Sequence, residues 1–201
     1  MVDVTQLVDV AGGVQSKRVF WDQEVYEQEL DRVFGRCWLF LTHESQIPQP
    51  GDFVTAYMGE DKVIVVRQRD GSIKAFLNSC THRGNQVCHA DSGNAKAFTC
   101  SYHGWSFGMD GALAALPLEQ SAYYGKFDKA EWGLRPVAKV DSYRGFVFGC
   151  FDPQAPSLPD YLGEMGWYLD TWMDGTGGAE LIGPPMKSIL RCNWKIPTEN
   201  F

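Results

Sequence analysis

No stretch of the 201 residues approaches the roughly 18 consecutive apolar positions of a membrane-spanning helix, so no membrane span is expected. Basic residues are scarce: 18 Lys and Arg stand against 25 Asp and Glu, a net charge of −7. No basic tract reverses that balance, so a nucleic-acid partner is not expected. The opening MVDVTQLVDVAGGVQ lacks the basic start and apolar run of a secretory signal, which points to a cytoplasmic protein. Without export, the six cysteines are better read as metal ligands or buried residues than as disulfides. Only four histidines occur, His43, His82, His89 and His103, which limits how many imidazole metal sites the chain can hold. There is no internal repeat and no low-complexity tract. The length suits one domain and part of another.

The patterning that is present changes character along the chain. DQEVYEQELDRVFGRCW (22–38) predicts a helix, because Tyr26, Leu30, Val33, Phe34 and Cys37 share one face. Asp22 is its N-cap, and Glu24 and Glu27 suit the positive end of its dipole. From Phe53 the text becomes short β-rich runs. DFVTAYM, KVIVVRQ and SIKAFLN are separated by Gly59-Glu60-Asp61 and by Asp70-Gly71. AFTC follows, then a hairpin about Asp110-Gly111 in WSFGMDGAL. Two more strands flank Arg144-Gly145 in VAKVDSYRGFVFGCF. A Pro-rich connection, DPQAPSLP (152–159), precedes Leu162, Met165, Leu169 and Trp172 at helical spacing, read as a core stripe. GGAELIGPPMKSILRCNW (177–194) reads as strand. The expectation is an α+β chain in three parts: a helical segment (1–38), an antiparallel β domain (39–158), and the beginning of a further unit (159–201).

Chemistry concentrates in two loops. NSCTHRGN places Cys80 and His82 two residues apart, and CSYHGW places Cys100 and His103 three apart. Gly84 and Gly104 follow, residues that let a backbone turn sharply beside a bound group. Two thiolates and two imidazoles suit one tetrahedral zinc or a two-iron cluster. Zinc sites usually draw two cysteines from one loop and two histidines from another. Here each loop gives one of each, which suits a cluster whose irons differ, both cysteines on one and both histidines on the other, as in a Rieske [2Fe–2S] centre. A zinc-stabilised binding module remains the competing reading. Cys37, Cys88, Cys150 and Cys192 are read as small buried residues, and His43 and His89 as structural or surface residues. Trp105 and Phe107 either simply pack or shield the cluster.

Five blocks, CWLFLTHESQIPQPGDF, NSCTHRGNQV, CSYHGWSFGMDGAL, WGLRPVAKVDSYRGFVFG and NWKIPTENF, resemble the large (α) subunit of bacterial Rieske non-haem iron aromatic ring-hydroxylating dioxygenases of the naphthalene and biphenyl type. The resemblance implies that Cys80, His82, Cys100 and His103 are the [2Fe–2S] ligands. It also implies a cluster that takes electrons from a ferredoxin, reduced by an NAD(P)H-dependent reductase, and relays them to a mononuclear Fe(II). At that iron O2 is added to an arene to give a cis-dihydrodiol. A helix-grip catalytic domain, of which 159–201 would be the start, a small β subunit and an α3β3 assembly are implied as well. Asn200 matches a family residue near the catalytic iron, or it only caps the helix that NWKIPTENF begins. Respiratory Rieske proteins carry a further cysteine in each loop, where this chain has Asn85 and Tyr102. They also carry a Ser and a Tyr where it has Trp105 and Phe107, which cannot donate an O–H to the cluster.

Two histidines remain once the cluster is satisfied, but His43 and His89 both lie in or beside the segment of the two loops, so a facial triad of two His and one carboxylate is not expected here. The 201 residues are therefore expected to be the N-terminal part of a longer subunit. The alternative is a stand-alone Rieske electron carrier, against which the N-terminal helix, the linker and the C-terminal segment speak.

Overall fold

The computed structural model describes residues 2–183 and 185–199. After a short ribbon of β1 (Val8–Asp9) and β2 (Val14–Gln15) comes helix α1 (Gln23–Glu29). Asp22 caps it, its carboxylate accepting from the N–H groups of Glu24 and Val25. The predicted helix stays α-helical only to Glu29. Leu30–Phe34 form a π turn in which the Gly35 N–H donates to the Leu30 carbonyl at 2.8 Å. The predicted stripe is half-buried, and the fully buried residue of α1 is Val25.

Strands β3 (Leu39–His43), β4 (Asp52–Met58), β5 (Asp61–Arg67), β6 (Ile73–Leu77), β7 (Ser92–Asn94) and β8 (Ala97–Thr99) follow. After them come β9 (Ser106–Gly108), β10 (Leu113–Ala115), the short α2 (Glu119–Ala122), β11 (Lys139–Tyr143) and β12 (Phe146–Cys150). The pairings are antiparallel, in sheets ordered β6-β5-β4-β7, β10-β9-β8 and β11-β12-β3. The turn between β11 and β12 has φ of 51° at Arg144 and 86° at Gly145, the left-handed pair that a tight two-residue hairpin demands. A side chain at Gly145 would also strike the His43 ring, 2.3 Å from Nε2.

β5 explains the layering. Val63, Ile64, Val65 and Val66 are all fully buried, so the strand is covered on both faces. Alternate residues serve different cores, since successive side chains point to opposite faces. Ile64 and Val66 join Phe53, Phe76, Phe98 and Phe107 beneath the two Cys/His loops. Val63 and Val65 join Leu41, Ile47, Met58 and Val147 toward the β11-β12-β3 sheet. Each such side chain contributes about 2 kcal/mol of apolar burial.

Three expectations fail toward the C-terminus. The 162–172 stripe is broken at Gly163 (φ 49°) into α3 (Leu158–Leu162) and α4 (Met165–Met173). Met165 and Trp172 are exposed, not core. Residues 177–183 and 185–194 form no strand. Ile182, Met186 and Ile189 lie more than nine-tenths exposed, because a strand needs a partner ladder and the described residues give this segment none. Cys192 is exposed and Cys37 half-buried, whereas Cys88 and Cys150 are buried as expected. The last element, α5 (Lys195–Thr198), is tied to α1: the Glu29 carboxylate receives Trp194 Nε1 at 2.8 Å and Lys195 Nζ at 2.5 Å. A helix-grip architecture is not visible in these residues. Among the described residues no helix is long and apolar enough to cross a membrane.

Candidate metal centre

The two loops close in the same way despite their different Cys–His spacing. In the first, the Cys80 N–H donates to the Asn85 carbonyl at 2.8 Å and the Gly84 N–H returns to the Cys80 carbonyl at 2.7 Å. In the second, Cys100 donates to Trp105 at 2.8 Å and Gly104 to Cys100 at 2.9 Å. Both loops therefore run from the cysteine to the residue five later, with a glycine at the fourth step. The φ values are 73° at Gly84 and 72° at Gly104, a region that favours glycine. At Gly104 a side chain would also meet Pro117 at 2.9 Å.

The sequence reading missed the residue that holds the first loop. Asn78, buried at the end of β6, accepts from the Val87 and Cys88 N–H groups at 3.0 and 2.8 Å and donates to the Cys88 carbonyl at 2.7 Å. It satisfies three backbone groups that would otherwise be buried without partners.

The arrangement sorts the four donors by kind. Cys80 and Cys100, buried at 3% and 2% exposure, lie in the same core cluster, and each thiol influences the ionisation of the other. The His82 and His103 rings lie side by side, centroids 4.7 Å apart. Thiols pair with thiols across the loops and imidazoles with imidazoles. Burial raises the Cys80 thiol above its ordinary value, against the N–H groups of His82 and Arg83. Burial acts on Cys100 too. There the N–H groups of Tyr102 and His103 and the Asn85 amide outweigh it, so this thiol falls below its ordinary value. Burial, then the charges of His103 and Arg83, lower the pKa of His82 and keep its ring neutral, with a lone pair free for a metal. His82 Nδ1 is buried with no hydrogen-bond partner. A buried ring nitrogen left so is costly and fits a metal ligand. A two-iron cluster asks for only two protein donors on each iron, and this donor set fits it.

Apolar cover surrounds the site. Trp105, almost wholly buried, stacks on His82 with centroids 4.8 Å apart and planes 8° from parallel. Phe127 and Trp132 pack edge-on against Trp105 at 5.5 and 5.6 Å. Thr81 Oγ1 donates to the Trp132 carbonyl at 2.7 Å, linking this cover to the first loop. Phe107 lies fully buried in the core that holds both cysteines. The other histidines stand apart in role. His43 is buried, its Nδ1 accepting the Ser45 N–H at 3.2 Å, and His89 is exposed. Asn200 lies outside the described residues.

Residues 37–143 match the Rieske [2Fe-2S] domain. The chain belongs to the Rieske family. It is 55% identical over 195 residues to the large oxygenase component of a naphthalene 1,2-dioxygenase system from Pseudomonas aeruginosa, covering 97% of this chain and 43% of the relative. It is 51% identical over 203 residues to the biphenyl dioxygenase subunit alpha of Metapseudomonas furukawaii, covering 97% and 44%. A solved naphthalene 1,2-dioxygenase with indole bound in its active site superposes with a TM-score of 0.86 at 53% identity, over 90% of this chain and 40% of that one. The chain thus spans less than half the length of these relatives. Within this Rieske chain the positions that carry extra cysteines in respiratory proteins behave differently from each other. Asn85 turns its amide toward Cys100 Sγ, and Tyr102 is exposed with its ring 3.9 Å from that of His103.

Proposed function

We propose that these residues are the electron-storing part of the oxygenase component of an aromatic ring-hydroxylating dioxygenase. Cys80 and Cys100 hold one iron of a [2Fe–2S] cluster, and His82 and His103 hold the other. The observation that carries this reading is the sorting of the donors, thiol beside thiol and ring beside ring, in a chain half identical to large oxygenase components. When bound, the cluster supplies reversible one-electron storage. The chain's own residues do the rest. The loop N–H groups of His82, Arg83, Tyr102 and His103 aim at the sulfurs and favour thiolate. Trp105 covers one face of His82 and excludes water from it.

On this reading, residues 1–38 are a helical support, 39–158 the Rieske domain and 159–201 the entry to a catalytic domain with a helix-grip fold. The mononuclear Fe(II) belongs to the full-length subunit, where O2 is added to an arene, and Asn200 lies near it. A ferredoxin with its NAD(P)H-dependent reductase supplies electrons. A small β subunit completes an α3β3 assembly in the cytoplasm. The test supplies NADH, reductase and ferredoxin to the 201-residue protein with Fe(II) and naphthalene or biphenyl. The visible absorption should bleach as electrons arrive, and no cis-dihydrodiol should form. Product from these residues alone would overturn the division of labour, and failure to accept electrons would overturn the electron-storing role.

A further inference from the structure

The Asn85 side chain sits where it can act on the proposed cluster without being one of its ligands. Its Nδ2 lies 3.5 Å from Cys100 Sγ, 3.0 Å from the Gln86 carbonyl and 3.4 Å from Ser101 Oγ. The Gln86 contact fixes the amide plane. The Asn85 carbonyl is itself the acceptor that closes the first loop on Cys80, so the backbone bearing this side chain cannot drift. One loop thus reaches across and donates an N–H to the cysteine of the other. Trp105 and Phe107 bring no hydroxyl to the site, which leaves this amide as a side-chain donor that the described residues direct at a sulfur.

Resting on the cluster assignment above, we infer that Asn85 is a positioning residue that sets the reduction potential through its hydrogen bond to Cys100 Sγ. Reduction adds one electron, and the added negative charge is shared with the cysteine sulfurs. A donor aimed at such a sulfur is bound more tightly in the reduced state than in the oxidised state. The bond therefore raises the potential. Its removal should shift the one-electron equilibrium about tenfold toward the oxidised form, which is 59 mV for a one-electron couple.

The experiment compares wild type, Asn85→Leu and Asn85→Asp by protein-film voltammetry, with iron and sulfide measured on each sample. Leu keeps the size and loses the donor. At neutral pH both variants should keep two irons and two sulfides per chain and show a lower potential than wild type. Asn85→Asp adds a readout that a packing role would not move. Its potential should climb as the pH falls through the carboxyl range, because the protonated acid carries an O–H and no charge, whereas the wild-type potential stays flat there. Potentials in both variants within a twofold change of equilibrium from wild type would overturn the role of Asn85 and leave the cluster assignment standing. So would loss of the cluster from Asn85→Leu together with an unshifted potential in Asn85→Asp. A wild-type protein without iron and sulfide would instead remove the assignment on which this inference rests.

Discussion

Replacing any one of Cys80, His82, Cys100 or His103 with alanine is expected to give colourless protein, with iron and sulfide falling from about two per chain to near zero. The reason lies in how few protein bonds each iron would have. Two donors from two different loops hold each metal, and each loop gives one donor to each iron, so one deletion unpins both loops. The remaining cysteines make the internal control. Cys88 Sγ lies 3.6 Å from the Ala90 carbonyl and Cys150 Sγ 3.2 Å from the Arg36 carbonyl. A serine hydroxyl at either place finds the same acceptor. Cys192 is exposed. Cys37→Ser, Cys88→Ser, Cys150→Ser and Cys192→Ser should all keep full iron and sulfide. A Cys88→Ser protein without cluster beside a Cys80→Ser protein that retains it would mean the ligands are misassigned.

The second large effect is the potential itself. Voltammetry of the wild-type protein should give a value near the lower end of the Rieske range, about −150 mV rather than about +300 mV. The span of some 450 mV corresponds to more than seven factors of ten in a one-electron equilibrium, so the outcome is not subtle. The difference is traced to hydrogen bonds that stabilise the reduced, more negative cluster. Where respiratory proteins carry a Ser and a Tyr, Trp105 is nearly wholly buried against His82 and Phe107 is fully buried. The contact from Asn85 is a single N–H at 3.5 Å, a weaker device than a short O–H bond. Phe107→Tyr, which keeps the ring and adds the hydroxyl, should move the potential upward. It is a better probe than Trp105→Ser, which would leave a cavity costing about 3–5 kcal/mol in the cover. A wild-type value well above zero would remove this argument.

Much of this architecture could be read from the sequence because its determinants are local. The β-rich runs DFVTAYM and KVIVVRQ, and the glycine turn between them, mark β4 and β5. The Arg144-Gly145 pair marks a hairpin that takes positive φ at both residues. Asp22 caps α1 as its residue type and place suggest. The two loops were visible for another reason: thiol and imidazole at short spacing, each trailed by glycine, are rarely accidental.

What stayed hidden depends on partners distant in sequence. Strand β3 follows the predicted helix directly, with no turn signal, and exists because β12 supplies a ladder more than a hundred residues away. β7 is Ser-Gly-Asn, poor strand formers that become a strand by pairing with β4. Asn78 looks like any turn asparagine until the loop it braces is seen in three dimensions. Conversely, Met165, Trp172, Ile182, Met186 and Ile189 carry patterns that promise burial, yet in the described residues their side chains stay exposed. Pattern encodes the wish to be covered, and only tertiary structure supplies the cover.

The central claim is that four residues, sorted as two thiols and two imidazoles, hold a two-iron cluster. Its most direct test is iron and acid-labile sulfide on aerobically purified 201-residue protein, joined to an electron-spin spectrum after dithionite reduction. The account predicts red-brown protein with about two irons and two sulfides per chain, and a signal with the low average g of mixed His and Cys ligation. Stoichiometric zinc with no sulfide and no signal would contradict it.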